Sequence, residues 1–235
     1  LGLDDSFGLG DRLGIAGQAH LRALQGTGFK VVLAQQSIRE LERTERTPEE
    51  VMDAATWAVL EEGWTEAWGA DADHLKTEAD VDLMAEAGFT MFTIDPGDHV
   101  VDAADEMSLP ELQEAAANLP WSELEDTLGA ALRRYGGEGI KVEHGLILEQ
   151  TAEDVPRARV KYGGPRAHPA TIYPHSAAPM GERPIAVAVS VAETASVTPP
   201  FAHWLVASEL RRLGVKWVGL APRFIGDFEK GIDYR

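Results

Sequence analysis

Residues 68–95 read WGADADHLKTEADVDLMAEAGFTMFTID, and their pattern decides the fold class. Trp68–His74 and Thr90–Asp95 are short apolar runs of strand length, each ending in acids. The stretch between them changes period. Thr77 supplies a helix cap, Val81, Met84 and Ala85 recur at helical spacing, and Gly88 suits a C-terminal stop. A strand, a short helix and a second strand in so few residues imply a parallel crossover.

The same alternation extends in both directions. Leu13–Ala16, Lys30–Gln35, Ile185–Glu193 and Val215–Ala221 are further candidate strands. Thr47, Pro48 and Glu50 form a cap, a first-turn proline and a capping-box acid ahead of Val51, Ala54, Ala55, Ala58 and Val59. Ser108, Pro110 and Glu111 start another helix. Thr198 and Pro199 start the last, which runs to about Leu213 with Gly214 as its stop. The expected class is α/β, with helices outside a parallel sheet. Periodicity leaves open whether six strands form a doubly wound sheet or part of a barrel. No Gly-x-Gly-x-x-Gly turn follows a strand, and Gly8-Leu9-Gly10 reads as a turn.

Two regions depart from the alternation. Asp102–Gly139 reads as a mainly helical insertion (102–139), and Lys141–Glu149 as a short strand or extended loop. Pro165, Pro169, Pro174, Pro179 and Pro184 crowd Gly163–Pro184, which predicts an irregular connection because proline denies a continuous helix.

Composition narrows the partners. The 235 residues carry a net charge of −18, a field that repels a phosphate backbone and argues against nucleic acid. An anionic substrate needs local basic groups. No apolar run reaches membrane-spanning length. The N-terminus lacks a signal-peptide pattern, and its start at Leu1 suggests a processed, trimmed or incomplete chain. The absence of Cys removes disulfides and thiolate chemistry and fits a cytoplasmic enzyme. An oligomer is left open.

Chemistry concentrates at the strand ends, where a barrel gathers its loops. Gln35 and Gln36 end one strand, Asp71, Asp73, His74 and Lys76 the next, Asp95, Asp98 and His99 the next. Glu193 and Arg223 end the last two. Carboxylates beside imidazoles suit a divalent cation. In an extended strand Asp71 and Asp73 share one face and His74 faces the other, so all three enter a barrel only if the strand ends by Asp73. Competing readings are helix caps at Asp73 and Asp98, a packed histidine at His74 and a surface Lys76. His20, His144, His168, His175 and His203 have no supporting cluster and read as structural.

At Phe7–Gly14, Ala34–Glu40, Asp71–Thr77, Phe89–His99, Val191–Thr194 and Leu220–Tyr234 the sequence resembles the tagaturonate/fructuronate epimerases, which invert C4 of a ketohexuronate. The resemblance implies a single (β/α)8 TIM-barrel-like domain over 1–235, with about six of eight strands present and the chain incomplete at both ends. It also implies a divalent metal cation and a sugar-acid substrate. It suggests His99, His74 and Asp95 as metal ligands and Glu193, Asp71 and Lys76 as catalytic groups. Gln35, Gln36 and Arg223 are the candidates for substrate binding.

Three features differ from the family pattern: a stop after the sixth strand, the proline-rich Gly163–Met180, and Ala192 where an acid precedes the glutamate. A metal-dependent isomerase or aldolase of another kind, or an inactive truncated member, are the rival expectations. For the C4 inversion a retro-aldol route is favoured, because the C4 proton is not α to the ketone and its direct removal leaves an unstabilised carbanion.

Overall fold

A computed structural model describes residues 1–137, 139–177 and 185–226, with backbone alone at 165–167, 171 and 174–177. Six parallel strands make the main sheet, in the order β1 (Ser6–Gly10), β2 (Lys30–Ser37), β3 (Trp68–Leu75), β4 (Met91–Ile94), β7 (Ala186–Val191) and β8 (Gly219–Pro222). Strands adjacent in the sheet follow one another along the chain, interrupted only by the small antiparallel hairpin β5 (Ile140–Lys141) and β6 (Ile147–Leu148). The sheet curls. A cavity of about 100 Å³ at its N-terminal end is lined by Ser6 of one edge strand, Gly219 of the other, and Val32, Gly69 and Met91 between them. The described fold is a parallel half-barrel.

Helices cover the outer face. α1 (Gly17–Leu24), α2 (Ile38–Thr44), α3 (Pro48–Glu61) and α4 (Glu78–Glu86) pack on β2–β4 through Leu21, Leu41, Val51, Ala55, Val81 and Met84 against Leu33, Ala70, Ala72 and Phe92. A second core joins β7 to α7 (Asp154–Ala177) and α8 (Pro200–Arg212) through Val189, Val191, Ala158, Tyr162, Leu205 and Leu210. The predicted caps form: Thr47 with Glu50 opens α3, and Thr77 with Asp80 opens α4. The 102–139 region contains a 3-10 turn (Asp102–Asp105), α5 (Leu109–Ala117) and α6 (Leu128–Tyr135). Leu112, Ala116 and Ala104 pack with Val160 of α7. Among the described residues no helix is long and apolar enough to cross a membrane.

Three expectations are corrected. The first strand is Ser6–Gly10 and not Leu13–Ala16, so Gly8-Leu9-Gly10 is strand and not turn. Leu13 and Ile15 are exposed, and the backbone of Ile15 and Ala16 is turned back onto the Asp11 carboxylate. A glycine-rich edge strand has few side chains to announce it; its ladder with β2 defines it. Next, α7 runs to Ala177 as one helix through Pro165, Pro169 and Pro174, where an irregular connection was expected. Burial of Val155, Ala158, Tyr162 and Ile172 offsets the donors that the prolines remove. Gly163 and Gly164 let the helix come close: a Cβ at Gly164 would stand 2.9 Å from the His99 carbonyl oxygen, and one at Gly163 2.7 Å from Leu119. The rest of that stretch, 178–184 with Pro179 and Pro184, lies outside the described residues, as does the matching segment beyond 226. Finally, the last strand begins at Gly219, not at Val215.

Candidate active site

Two irregularities in the sheet build the site. Ala34 in β2 and His74 in β3 both have positive φ, 52° in each case. The pairing register shifts at the same places, between Leu33 and Gln36 and between Ala72 and Leu75. Such bulges re-aim the side chains beyond them. Below them, strict alternation sends Ala70 and Ala72 outward to the helices, and Asp71 toward the face that carries Met91 and Thr93. At His74 the left-handed backbone breaks the alternation. His74, which a straight strand would turn away from Asp73, reaches Asp95 at the end of β4, with Nδ1 2.8 Å from Oδ2.

His74, Asp95 and Glu193 offer donor atoms that all lie within 4.8 Å of one another. They come from the C-terminal ends of β3, β4 and β7. His74 Nδ1 is 4.0 Å from Glu193 Oε1, and Arg39 approaches the same oxygen at 3.8 Å. Asp95 is buried, and its other oxygen accepts the N–H of Gly97. Burial alone would raise the Asp95 carboxyl. The hydrogen bonds from His74 and Gly97 outweigh it and hold the group below the usual carboxylate range. In return, the bond to Asp95 raises the His74 imidazole, against a smaller opposing effect of burial. One imidazole nitrogen and two carboxylate oxygens, supported by hydrogen bonds, are a donor set that suits a first-row divalent cation. About 2.1 Å to each ligand spaces tetrahedral donors about 3.4 Å apart, so His74 Nδ1 and Asp95 Oδ2, 2.8 Å apart, would move apart and Glu193 Oε1, 4.0 Å from Nδ1, would move in.

A cavity of about 250 Å³ opens over this cluster, lined by Ser37, Ile38, Arg39, Lys76, His74 and Asp95, with Glu42 and Asp80. Lys76 belongs to it, its Nζ held 2.8 Å from both oxygens of Asp98 and its basicity raised mainly by that contact. A larger cavity of about 370 Å³ lies elsewhere, between the hairpin, α7 and the start of α8, with a mostly apolar lining and none of the triad.

The remaining candidates take distinct positions. Asp71 is buried; Thr93 Oγ1 and Gln35 Nε2 donate to it at 2.9 and 3.2 Å. Burial, reinforced by the charge of Asp73, pushes its carboxyl up to about 7 despite those two donors and Arg12. Gln36 is fully buried and donates to the Arg12 carbonyl. His99 follows Asp95 on a 3-10 turn; its ring stacks on His168 with centroids 4.7 Å apart, outside the triad. The Arg223 backbone N–H donates to Thr198 Oγ1 and its carbonyl accepts from Thr198. Asp73 is bound to Arg12 at 3.1 Å and caps no helix.

Arg12 and Arg39 are groups the sequence reading did not single out. Arg12 spans Asp73 and Glu40, the latter at 2.7 Å, and donates to the Gln35 carbonyl. It locks the turn after β1 to the ends of β2 and β3. Nothing in local sequence pairs it with Asp73. The charge argument held a usable signal for Arg39, since on an acidic protein any site for an anion needs a local cation.

A family profile described as tagaturonate epimerase, UxaE, matches residues 2–235. A curated tagaturonate/fructuronate epimerase of Thermotoga maritima is 44% identical over 237 residues, covering 100% of this chain and 47% of its own length. Crystal structures of a fructuronate-tagaturonate epimerase, UxaE, from Cohnella laeviribosi superpose with TM-scores of 0.88 for the native form and 0.89 for a form with two glycerols, at 37% identity. They cover 99% and 100% of this chain, and 46% and 47% of theirs. The chain spans about half the length of these relatives.

Proposed function

The chain belongs to the tagaturonate epimerase family, and from that premise we propose that it carries the cation-binding and proton-transferring half-site of a hexuronate C4-epimerase acting on tagaturonate and fructuronate. The observation that supports this most directly is the meeting of His74, Asp95 and Glu193 at the ends of three neighbouring strands. Strand-end convergence is where (β/α) barrels carry chemistry, and an eight-stranded barrel is the closed form to which a six-stranded curled sheet corresponds.

His74, Asp95 and Glu193 would hold the cation, which supplies Lewis-acid stabilisation of negative charge at the keto oxygen of the sugar acid. Asp95 aims the imidazole through its 2.8 Å hydrogen bond, and Nδ1 would give up that proton to take the cation. Glu193 Oε1 is the oxygen turned toward His74 and Arg39. Its carboxylate makes no hydrogen bond among the described residues, which leaves Oε2 available to take the C4 hydroxyl proton. The C3–C4 bond then breaks, its electron pair moves toward the C2 carbonyl, and C4 becomes an aldehyde. Rotation of the aldehyde and reclosure return the proton to the C4 oxygen with the centre inverted. Arg39 and Lys76 line the cavity as the cationic groups that receive the substrate carboxylate. Asp71, Gln35 and Thr93 form a buried hydrogen-bonded layer. His99, stacked on His168, flanks the site.

The test is to incubate the purified chain with fructuronate and a divalent cation and follow tagaturonate by chromatography. Glu193→Gln should abolish conversion, with loss of at least about 100-fold in rate. Deuterium from solvent appearing at C4 of the product would exclude the retro-aldol route. Accumulated three-carbon fragments without epimer would identify an aldolase instead.

A further inference from the structure

The placement of Glu193 poses a mechanical problem. Its side chain is 46% exposed and its nearest charged neighbours stand at 3.8 and 4.0 Å, too far to hold it. The backbone that carries it, after β7 and before α8, must therefore be fixed by something else. The far end of that loop is tied at Thr198, which exchanges hydrogen bonds with Arg223. The near end is tied to a buried cation on α7. The Lys161 side chain is 3% exposed, and its Nζ contacts Ser196 Oγ at 2.7 Å, Asp105 Oδ2 at 2.6 Å and Asp102 Oδ1 at 3.3 Å. Ser196 Oγ donates in turn to Asp105 Oδ2 at 2.6 Å, and the N–H of Ala195 to Asp102 Oδ1 at 3.2 Å. Inside the loop, Thr194 Oγ1 donates to the Ser196 carbonyl at 2.8 Å. The Lys161 carbonyl itself accepts from the N–H of Val101. One ammonium thus clasps the segment after His99 and the segment after Glu193 to the same helix.

We infer that Lys161 is a positioning residue for Glu193: its buried ammonium, through Ser196, Asp105 and Asp102, fixes the 193–196 loop and so sets the third donor of the cation site. This rests on the cation reading given above. Lys161 lines the separate 370 Å³ cavity and not the cavity over the triad, so its influence on the site passes through the loop. Supporting groups of this kind commonly alter metal affinity by about 10- to 100-fold when removed.

The experiment measures Mn²⁺ binding to the 235-residue chain by electron paramagnetic resonance of free Mn²⁺. Lys161→Met keeps the unbranched stem, one atom shorter, and removes the charge; Mn²⁺ affinity should fall by about 10-fold or more. Ser196→Ala cuts the link to the loop without leaving a buried charge unpaired, and should weaken binding severalfold even if the lysine variant fails to fold. Tyr135→Phe serves as the comparison, because the Tyr135 hydroxyl donates to Glu209 in a different buried network; it should lower Tm and leave Mn²⁺ affinity unchanged. Folded Lys161→Met or Ser196→Ala protein that binds Mn²⁺ as tightly as the parent overturns the inference and leaves the cation reading standing. A parent chain that takes up no Mn²⁺ overturns the cation reading itself, and this inference with it.

Discussion

Asp71 shows what a single buried carboxyl does to the whole chain. An unfolded Asp gives up its proton near pH 4, whereas the folded group keeps it to about 7. Between those values the folded state binds more protons, so stability from this group is complete at low pH and is lost as pH rises through 7. Asp71→Asn removes the titration. Urea denaturation across that window should show the parent losing stability relative to the variant by up to ~1 proton of slope; parallel curves would count against it. Arg12 gives a second prediction. Arg12→Met removes the cation shared by the largely buried Asp73 and Glu40, while Glu40 keeps its hydrogen bonds from Ser37, and should cost about 2–3 kcal/mol by the same denaturation assay. At this scale the sequence was half legible. Acids and imidazoles at strand ends announced the site. His74 did not announce its direction, because alternation assigned it to the face opposite Asp73. Arg12 was silent because its partner Asp73 is 61 residues away in the chain.

Among the elements, α7 is the one whose sequence misleads most. Local propensity condemns a helix with prolines in its interior, but helix formation in a protein is decided by the face it buries. Tyr162 packs among β7 and α8, Ile172 beneath β2–β4, and the Gly163-Gly164 pair admits neighbours that a methyl group would displace. Gly164→Ala tests which effect wins. Helix propensity favours alanine by about 1 kcal/mol, but the added Cβ meets a backbone carbonyl that has no rotamer to yield. We expect net destabilisation of about 1–3 kcal/mol and weaker stacking of His99 on His168, read from thermal melts and histidine NMR shifts. The helices with Thr47 and Thr77 caps were legible because cap, proline and period agreed. β1 was not, because a short, exposed edge strand with glycine at two of its five positions is defined by the partner it pairs with more than by its own side chains.

For the molecule as a whole, the alternation of strands and helices identified a parallel α/β sheet, only the family resemblance pointed to a barrel, and the curl that separates a half-barrel from an open sheet shows in the cavity that both edge strands line. A charge of −18 spread over 235 residues is the other global property. Self-repulsion strains the compact state, and added salt screens it. Tm should rise as NaCl is increased from about 20 to about 300 mM, followed by circular dichroism; a flat or falling response would show that local ion pairs such as Arg159 with Glu209 outweigh the net field.

The kinks at Ala34 and His74 carry a lesson for anyone who would graft this chemistry onto another scaffold. Copying the three donors into a straight sheet would point the imidazole at the surrounding helices, out of reach of its carboxylate. Valine or isoleucine at 34 would resist the required backbone, whereas asparagine or glycine would accept it. What must be transplanted is a pair of offset steps in adjacent strands, and the ligands come along as passengers.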